Sequence, residues 1–295
     1  MNRVLVSGAS GPIGAALITS FERDSAQVVR LVRREVRGPG QIAWNPVGEL
    51  SPEAVSGFDA VIHLAGESVV CRWTAAKKKA IRESRVLGTR NLARALLRAE
   101  KKPKVLVCAS AIGFYGNRGE ESLTEESTSG NGFLAEVCRE WEAEGRAATG
   151  AGIRTVNIRI GLVLSAHRGA LGKMLPAFKA GLGGRLGSGM QWWSWIHVDD
   201  IVGAVHHAIK RDDLRGPVNL VGPQPVRNAE FAKTLGAALG RPTFLPAPAF
   251  AMRLALGEAA EELMLASQKV TPEKLLKSGY QFRFGELKKA LEELV

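Results

Sequence analysis

Cysteine is scarce in this chain of 295 residues: Cys71, Cys108 and Cys138 are odd in number, widely spaced and set in apolar or helical contexts. That excludes a disulfide framework and fits a reducing cytosol. Long apolar runs are missing too. None approaches the roughly 18 residues a membrane helix needs, and Arg253 breaks the strongest. The first residues lack a signal-peptide layout, because a strand pattern starts directly after Asn2. A cytoplasmic chain without membrane contact is expected. No second His or Cys stands at ligand spacing from His63 or His197, so no metal site is expected. Low-complexity tracts, internal repeats and a clear linker are also absent, which leaves an ordinary globular composition long enough to bury a large core.

Acidic residues are outnumbered, 29 against 40 lysines and arginines, for a net charge of +11. Much of the excess falls between Arg30 and Lys104, in Arg33, Arg34, Arg37, Lys77, Lys78, Lys79, Arg82 and Arg85. No helix-turn-helix, zinc finger or RNP motif is present to carry that charge into a nucleic-acid groove. An anionic cofactor or substrate, together with a solvated basic face, is the better account.

Short apolar runs alternate with helical periodicity, the pattern of parallel strands joined by crossover helices. Val4–Val6, Val28–Val32, Ala60–Leu64, Val105–Cys108 and Thr155–Ile160 read as strands. Ile13, Leu17 and Phe21 form one helical stripe, and helices are predicted from Thr74 to Arg98 and from Phe133 to Ala147. Beyond them come a glycine-rich loop from Gly181 to Gly189, the cluster Trp192, Trp193 and Trp195, and a helix after Asp200. Thr271-Pro272-Glu273 reads as a capped helix start with proline in the first turn.

The first strand runs into GASGPIG, with Gly8, Gly11 and Gly14 at the opening of a helix. Glycine is needed there for a tight turn, for close approach of backbone to a pyrophosphate, and for helix–strand packing. The helix N-terminus then offers N–H groups and partial positive charge to phosphates, which places Ser10, Pro12 and Ile13 beside the ligand as well. An NAD site would carry an acid at the end of the second strand. Here that strand ends in Arg33 and Arg34, and the first acid is Glu35. Two guanidinium groups suit the additional 2′-phosphate of NADP.

These features, with VIHLAG at Val61–Gly66, SAIGFYG at Ser110–Gly116 and WIHVDDI at Trp195–Ile201, resemble the extended short-chain dehydrogenase/reductases of the NAD-dependent epimerase/dehydratase family. SQKVTPEKLLKSGYQF, Ser267–Phe282, resembles the C-terminal domain of a poorly characterised branch of that family. The resemblance implies that Leu64, Ala65 and Gly66 line the cofactor, with Glu67 and Arg85 facing it. It also implies that Ser110 orients a substrate hydroxyl or carbonyl, and that Arg159 through Leu162 close the nicotinamide end. It further implies a homodimer through the long helices, which no residue by itself requires.

The departures are as informative. The family's Tyr and Lys, four residues apart on a helix, would fall on Leu134 and Cys138, and shifting by one residue gives Phe133 and Val137. None of these can do that acid–base work. An arginine that grips substrate diphosphate in nucleotide-sugar epimerases is replaced by Trp193. Tyr115, one of two tyrosines, follows Ser110 by five residues. It is the remaining candidate proton donor or, equally, a pocket wall. For Trp192 and Trp193 both ligand-facing and core positions stay open, while Trp195 reads as core. Cys138 and His197 read as structural.

The expected architecture is α/β, a Rossmann-type doubly wound parallel sheet with a smaller mixed C-terminal substrate lobe. Residues 1–165 and 197–222 would form the NADP-binding part, and 166–196 with 223–295 the lobe. Between them would lie a cleft for a small hydroxyl or keto substrate. The chain is then either an NADP-dependent oxidoreductase or epimerase without the usual dyad, or a cofactor-binding sensor that has lost catalysis.

Overall fold

The structure, a computed structural model, describes residues 1–33, 35–166 and 169–295. Seven parallel strands form the main sheet: β1 (Arg3–Ser7), β2 (Gln27–Val32), β3 (Gln41–Ala43), β4 (Ala60–His63), β5 (Val105–Ala111), β6 (Arg154–Ile160) and β7 (Gly216–Leu220). Their spatial order is β7-β6-β5-β4-β1-β2-β3. The chain therefore turns back between β1 and β4, which opens a crevice at their carboxyl ends.

Alternation along each strand divides the core. Val4, Val6, Ile62 and Val107 face helices α1 (Pro12–Arg23) and α5 (Val198–Lys210), while Leu5, Val61 and Leu106 face α2 (Ala75–Arg98) and α3 (Phe133–Arg146). Thr74 caps α2 by accepting from Lys77 N–H at 3.2 Å. Between α3 and α5 in chain order comes α4 (Gly169–Lys179), a helix that the sequence pattern did not announce. The strand β5 runs three residues further than its apolar run, so Ser110 lies within the sheet. Near the C-terminus the helix is only Glu273–Lys277, and Pro272 stands before its first turn rather than inside it.

A second core gathers Leu171, Leu175, Phe178, Trp195, Phe231 and Leu291 under the C-terminal lobe. The lobe is joined by backbone pairing to segments that follow the strands of the sheet, in two small two-stranded sheets. Lys269–Val270 runs parallel to Ser122–Leu123, and Trp195–His197 parallel to Leu162–Leu164. The acid pair that follows Trp195 adds side-chain ties. Asp200, buried, accepts from Arg283 N–H at 2.8 Å and Phe284 N–H at 2.9 Å, and Tyr280 Oη donates to its carbonyl at 2.9 Å. His197 Nδ1 accepts from Asp199 N–H at 3.1 Å and caps α5, while its other nitrogen meets Glu293 at 3.0 Å. His197 thus holds structure together at the lobe boundary. Among the described residues, no helix is long and apolar enough to cross a membrane.

Asp200→Ala removes the acceptor from one buried and one part-buried backbone donor at once. It is expected to lower unfolding free energy by about 2–4 kcal/mol, measured by urea denaturation. A loss below about 0.5 kcal/mol would show that the clasp does not hold the lobe.

Candidate functional site at the carboxyl edge of the sheet

The glycine turn and the end of β4 are built against each other. Gly8 has φ +72°, and a Cβ there would lie 2.6 Å from Leu64 C and 2.7 Å from Leu64 O. At Gly14 a Cβ would run into the Gly8 carbonyl. The positive φ and the two close approaches together exclude any larger residue. Gly11 N–H donates to Gly8 O at 3.1 Å and Gly11 is the N-cap of α1, with Pro12 next, no acid in the first turn and no capping side chain. The first N–H groups of α1 are therefore open toward the crevice, as an anion-binding terminus requires. Ser10 lies exposed on the turn, and Ile13 packs on the core beneath it.

A buried chain stiffens this edge. Ser7 Oγ accepts from Leu64 N–H at 3.2 Å and Ala65 N–H at 3.3 Å, and so directs its own proton to His63 Nδ1 at 2.6 Å. The opposite ring nitrogen then donates to Thr89 Oγ1 at 3.0 Å. Burial brings the His63 pKa down to about 4, so the ring is neutral and serves as a strut.

Arg33, at the end of β2, is 63 % exposed and stands 3.9 Å from Glu67. The carboxylate of Glu67 is held by Lys77 at 2.5 Å, a hydrogen bond that lowers its pKa. Arg34 lies outside the described residues. Behind Gly66 sits Arg85, half-buried, donating to Glu67 O at 2.9 Å and Ile81 O at 3.2 Å. The structure therefore brings Gly8–Gly14, Leu64–Glu67, Arg33 and Arg85 to one edge. Glycine at the close approaches, open N–H groups and the exposed guanidinium of Arg33 fit a dinucleotide diphosphate.

The candidate catalytic residues have a different setting. Ser110 Oγ donates to Glu142 Oε1 at 2.8 Å. Arg159 grips the same carboxylate with two bonds, Nε to Oε1 at 2.8 Å and Nη2 to Oε2 at 3.0 Å. Its remaining amino group donates to Tyr115 Oη at 2.9 Å, and the Phe114 ring lies 3.5 Å from its Cζ. Tyr115 is 0 % exposed, and its hydroxyl faces Asn219 Oδ1 at 2.7 Å and Thr124 O at 2.9 Å. Burial pushes the phenol up to about 12. Tyr115 is thus a sealed wall of the site, and Arg159 is neutralised below the cleft instead of facing it. Leu162 begins the strand that pairs with Trp195 and accompanies the lobe core.

Leu134 and Cys138 are both buried, and burial lifts the Cys138 thiol to about 11, away from nucleophilic use. Above Leu134 the C-terminal lobe inserts Glu262, whose oxygens accept from Phe133 N–H at 2.9 Å and Leu134 N–H at 2.8 Å. A cavity of about 110 Å³ opens there, lined by Asn117, Asn131, Leu134, Glu261, Glu262 and Gln268. Glu262, Glu142 and Asn219 were not foreseen as site residues. Only Glu142 left a trace, as the acid that set the helix alignment. Trp192 lies under Arg227 at 4.1 Å, Trp193 packs edge-on against Phe231, and Trp195 is fully buried with Nε1 donating to Gln224 O at 2.9 Å.

A parallel sheet that reverses between β1 and β4, with a glycine turn at the reversal, defines a Rossmann-type protein built for a dinucleotide. The model of the NAD dependent epimerase/dehydratase family matches residues 4–221, and the chain belongs to that family. Residues 247–294 match a domain of unknown function, DUF1731. Epimerase family protein Mb2239 of Mycobacterium bovis is 42% identical over 98% of this chain and 96% of its own length. The crystal structure of human epimerase family protein SDR39U1 (isoform2) with NADPH superposes with a TM-score of 0.89 at 36% identity, covering 99% of this chain and 98% of that one. A structure titled nucleoside-diphosphate sugar epimerase, from Corynebacterium glutamicum, gives 0.82 at 38% identity over 99% of this chain and 58% of the other.

The chain has two tyrosines, Tyr115 and Tyr280, and burial raises both phenol pKa values. Protonated phenols stabilise the fold fully below the ordinary phenol range near pH ~10. That contribution is lost as pH climbs through the folded value, about 12 for Tyr115. An alkaline titration followed by phenolate absorbance should therefore show no ionisation near pH ~10, then a cooperative rise together with unfolding. A phenol ionising near pH ~8 in the folded protein would restore Tyr115 as a working acid.

Proposed function

We propose that this chain binds NADP(H) and exchanges a hydride with a hydroxyl or keto group on a small substrate, without a Tyr–Lys pair. One observation carries the cofactor half: the glycine turn, packed on Leu64, ends in an uncapped α1 while Arg33 extends from β2. The NADPH in the human relative's structure supports the same choice. In this reading Gly8, Ser10, Gly11, Pro12, Ile13 and Gly14 hold the pyrophosphate, and Leu64–Glu67 line the adjoining ribose. Arg33 and Arg34 receive the 2′-phosphate, with Arg159 and Leu162 supporting the nicotinamide end from below. When bound, the nicotinamide supplies the hydride donor or acceptor. Ser110 positions the floor of the cleft through Glu142, and Tyr115 keeps water out of it.

The substrate half rests on the cavity beside Leu134. Its volume is about 110 Å³, and two of its lining residues are carboxylates, Glu261 and Glu262. Glu261 is paired with Arg253, so an anionic diphosphate entering there would meet the charge of Glu262, and Trp193, which stands where nucleotide-sugar epimerases carry an arginine, brings no cation to hold it. A small, uncharged or cationic alcohol or ketone suits this lining better than a nucleotide sugar. The second reading, a cofactor-binding sensor, is favoured by the apolar pair Leu134 and Cys138 and by the commitment of the Ser110 hydroxyl to Glu142.

Calorimetric titration with NADPH and NADH tests the cofactor half. NADPH is expected to bind at least about tenfold more tightly, a difference of ~1.4 kcal/mol, and Arg33→Ala with Arg34→Ala should erase the preference. Equal affinities in the unmodified protein would overturn it. Deuteride transfer from labelled NADPH to a panel of small ketones and to UDP-4-keto-sugars then separates the readings. Label in a small ketone supports the enzyme, label in a UDP-sugar replaces the substrate class, and tight binding with no transfer leaves the sensor.

A further inference from the structure

The cavity beside Leu134 stands apart in the sign of its charge. The chain carries 40 lysines and arginines, yet among the described residues none lines this space. Glu261 is paired with Arg253. The charge that remains belongs to Glu262, half-buried and without an ion pair among the described residues. Its bonds from Phe133 N–H and Leu134 N–H fix the carboxylate in place and leave lone pairs on both oxygens. Gln268, 9 % exposed, lines the same cavity and adds a second acceptor. Its Nε2 donates to Ile112 O and Gly116 O, each at 3.1 Å, which uses both amide protons. The Gln268 oxygen is left with no partner among the described residues. A buried acceptor kept open is costly, and the cost is met when a ligand brings the donor.

Two acceptors, one of them a full negative charge, select the group that answers both. An alkylammonium brings three donors and no acceptor, whereas a hydroxyl brings one donor and turns lone pairs toward the neighbouring oxygens. A carboxylate or phosphate would meet like charge. The volume of about 110 Å³ suits a short carbon chain, and the cavity borders Gly113 and Gly116 on the loop after β5, at the carboxyl edge of the sheet. We infer that Glu262 and Gln268 form an ammonium subsite. The substrate is then a small amino alcohol or the matching amino ketone, held by its charged end against the lobe with its carbinol toward the crevice. Asn117, whose oxygen accepts from Ser267 N–H at 3.1 Å, keeps its amide nitrogen for the substrate's hydroxyl. The assignment names the substrate class of the site proposed above and rests on that reading.

Three probes share one carbon frame and differ in the head group: isopropanolamine, propylene glycol and lactate carry an ammonium, a hydroxyl and a carboxylate. None can pass a hydride to reduced cofactor, so saturation-transfer NMR titration of the NADPH complex reads binding alone. Isopropanolamine is expected to bind about tenfold more tightly than propylene glycol, the difference between a charge-assisted and a neutral hydrogen bond, with lactate weakest. Glu262→Gln should bring isopropanolamine down to the level of propylene glycol while NADPH affinity stays as it was. A purely structural role would not change that ranking. If Glu262→Gln lowers the melting temperature, Gln268→Met decides, since it leaves the bonds between Glu262 and α3 intact. It should weaken isopropanolamine at least about threefold. Propylene glycol or lactate binding as tightly as isopropanolamine to the unmodified protein overturns the assignment. So does unchanged isopropanolamine affinity in a folded variant, or no binding of any of the three probes. Failure to bind NADPH would instead refute the cofactor reading, and the ranking in the cofactor-free protein would then decide the subsite.

Discussion

The bidentate pair between Arg159 and Glu142 is the constraint on which the site depends. Two opposite charges almost fully removed from water are tolerable only when every donor and acceptor is used. Here the carboxylate takes Ser110 as a third partner, and the remaining amino group of the guanidinium donates to Tyr115 and to Glu125 O. The pair therefore joins β5, β6 and α3 and seats the loop after β5. Two residues that look catalytic in the sequence are consumed in that network. What faces the cleft is decided by what the ion pair has already claimed.

The lobe is held by a different economy, in which carboxylates bind backbone N–H groups. Asp200 accepts from Arg283 and Phe284, and Glu262 accepts from Phe133 and Leu134 at the start of α3. Glu125 belongs to the same set, since one oxygen accepts from Asn219 N–H at 3.0 Å and Lys274 N–H at 3.2 Å, and burial raises its pKa. Each acid lies far in sequence from the donors it satisfies. The lobe and sheet therefore close the cavity as one unit, and the cavity's acidic lining follows from how the lobe is attached.

Five of the seven sheet strands, α1, α2, α3 and the glycine turn were legible in the sequence because their signals are local. Apolar runs, helical stripes and glycine at a strand–helix junction depend only on near neighbours. Even the strand ends came within a few residues. The helix Gly169–Lys179 was not legible, because it opens on a glycine and carries an internal proline, Pro176. The five-residue helix after Pro272 was misread for a related reason: a proline beside an acid marks a helix start without showing on which side of it the proline falls.

The sequence alone determined the parallel sheet, the dinucleotide turn and the arginine at the end of β2, since each follows from residue type and short spacing. Family membership was also visible there, in motifs kept in order along the chain. Tertiary structure decided which polar groups are spent and which are left. Ser110, Arg159 and Tyr115 are linked through Glu142 across strands, whereas among the described residues Arg85 has no carboxylate partner and Glu262 arrives from the far end of the chain. Charge compensation is a property of distances in space. Residues 17 or 129 positions apart, as Glu142 and Arg159 or Phe133 and Glu262 are, reveal it only once the chain has folded.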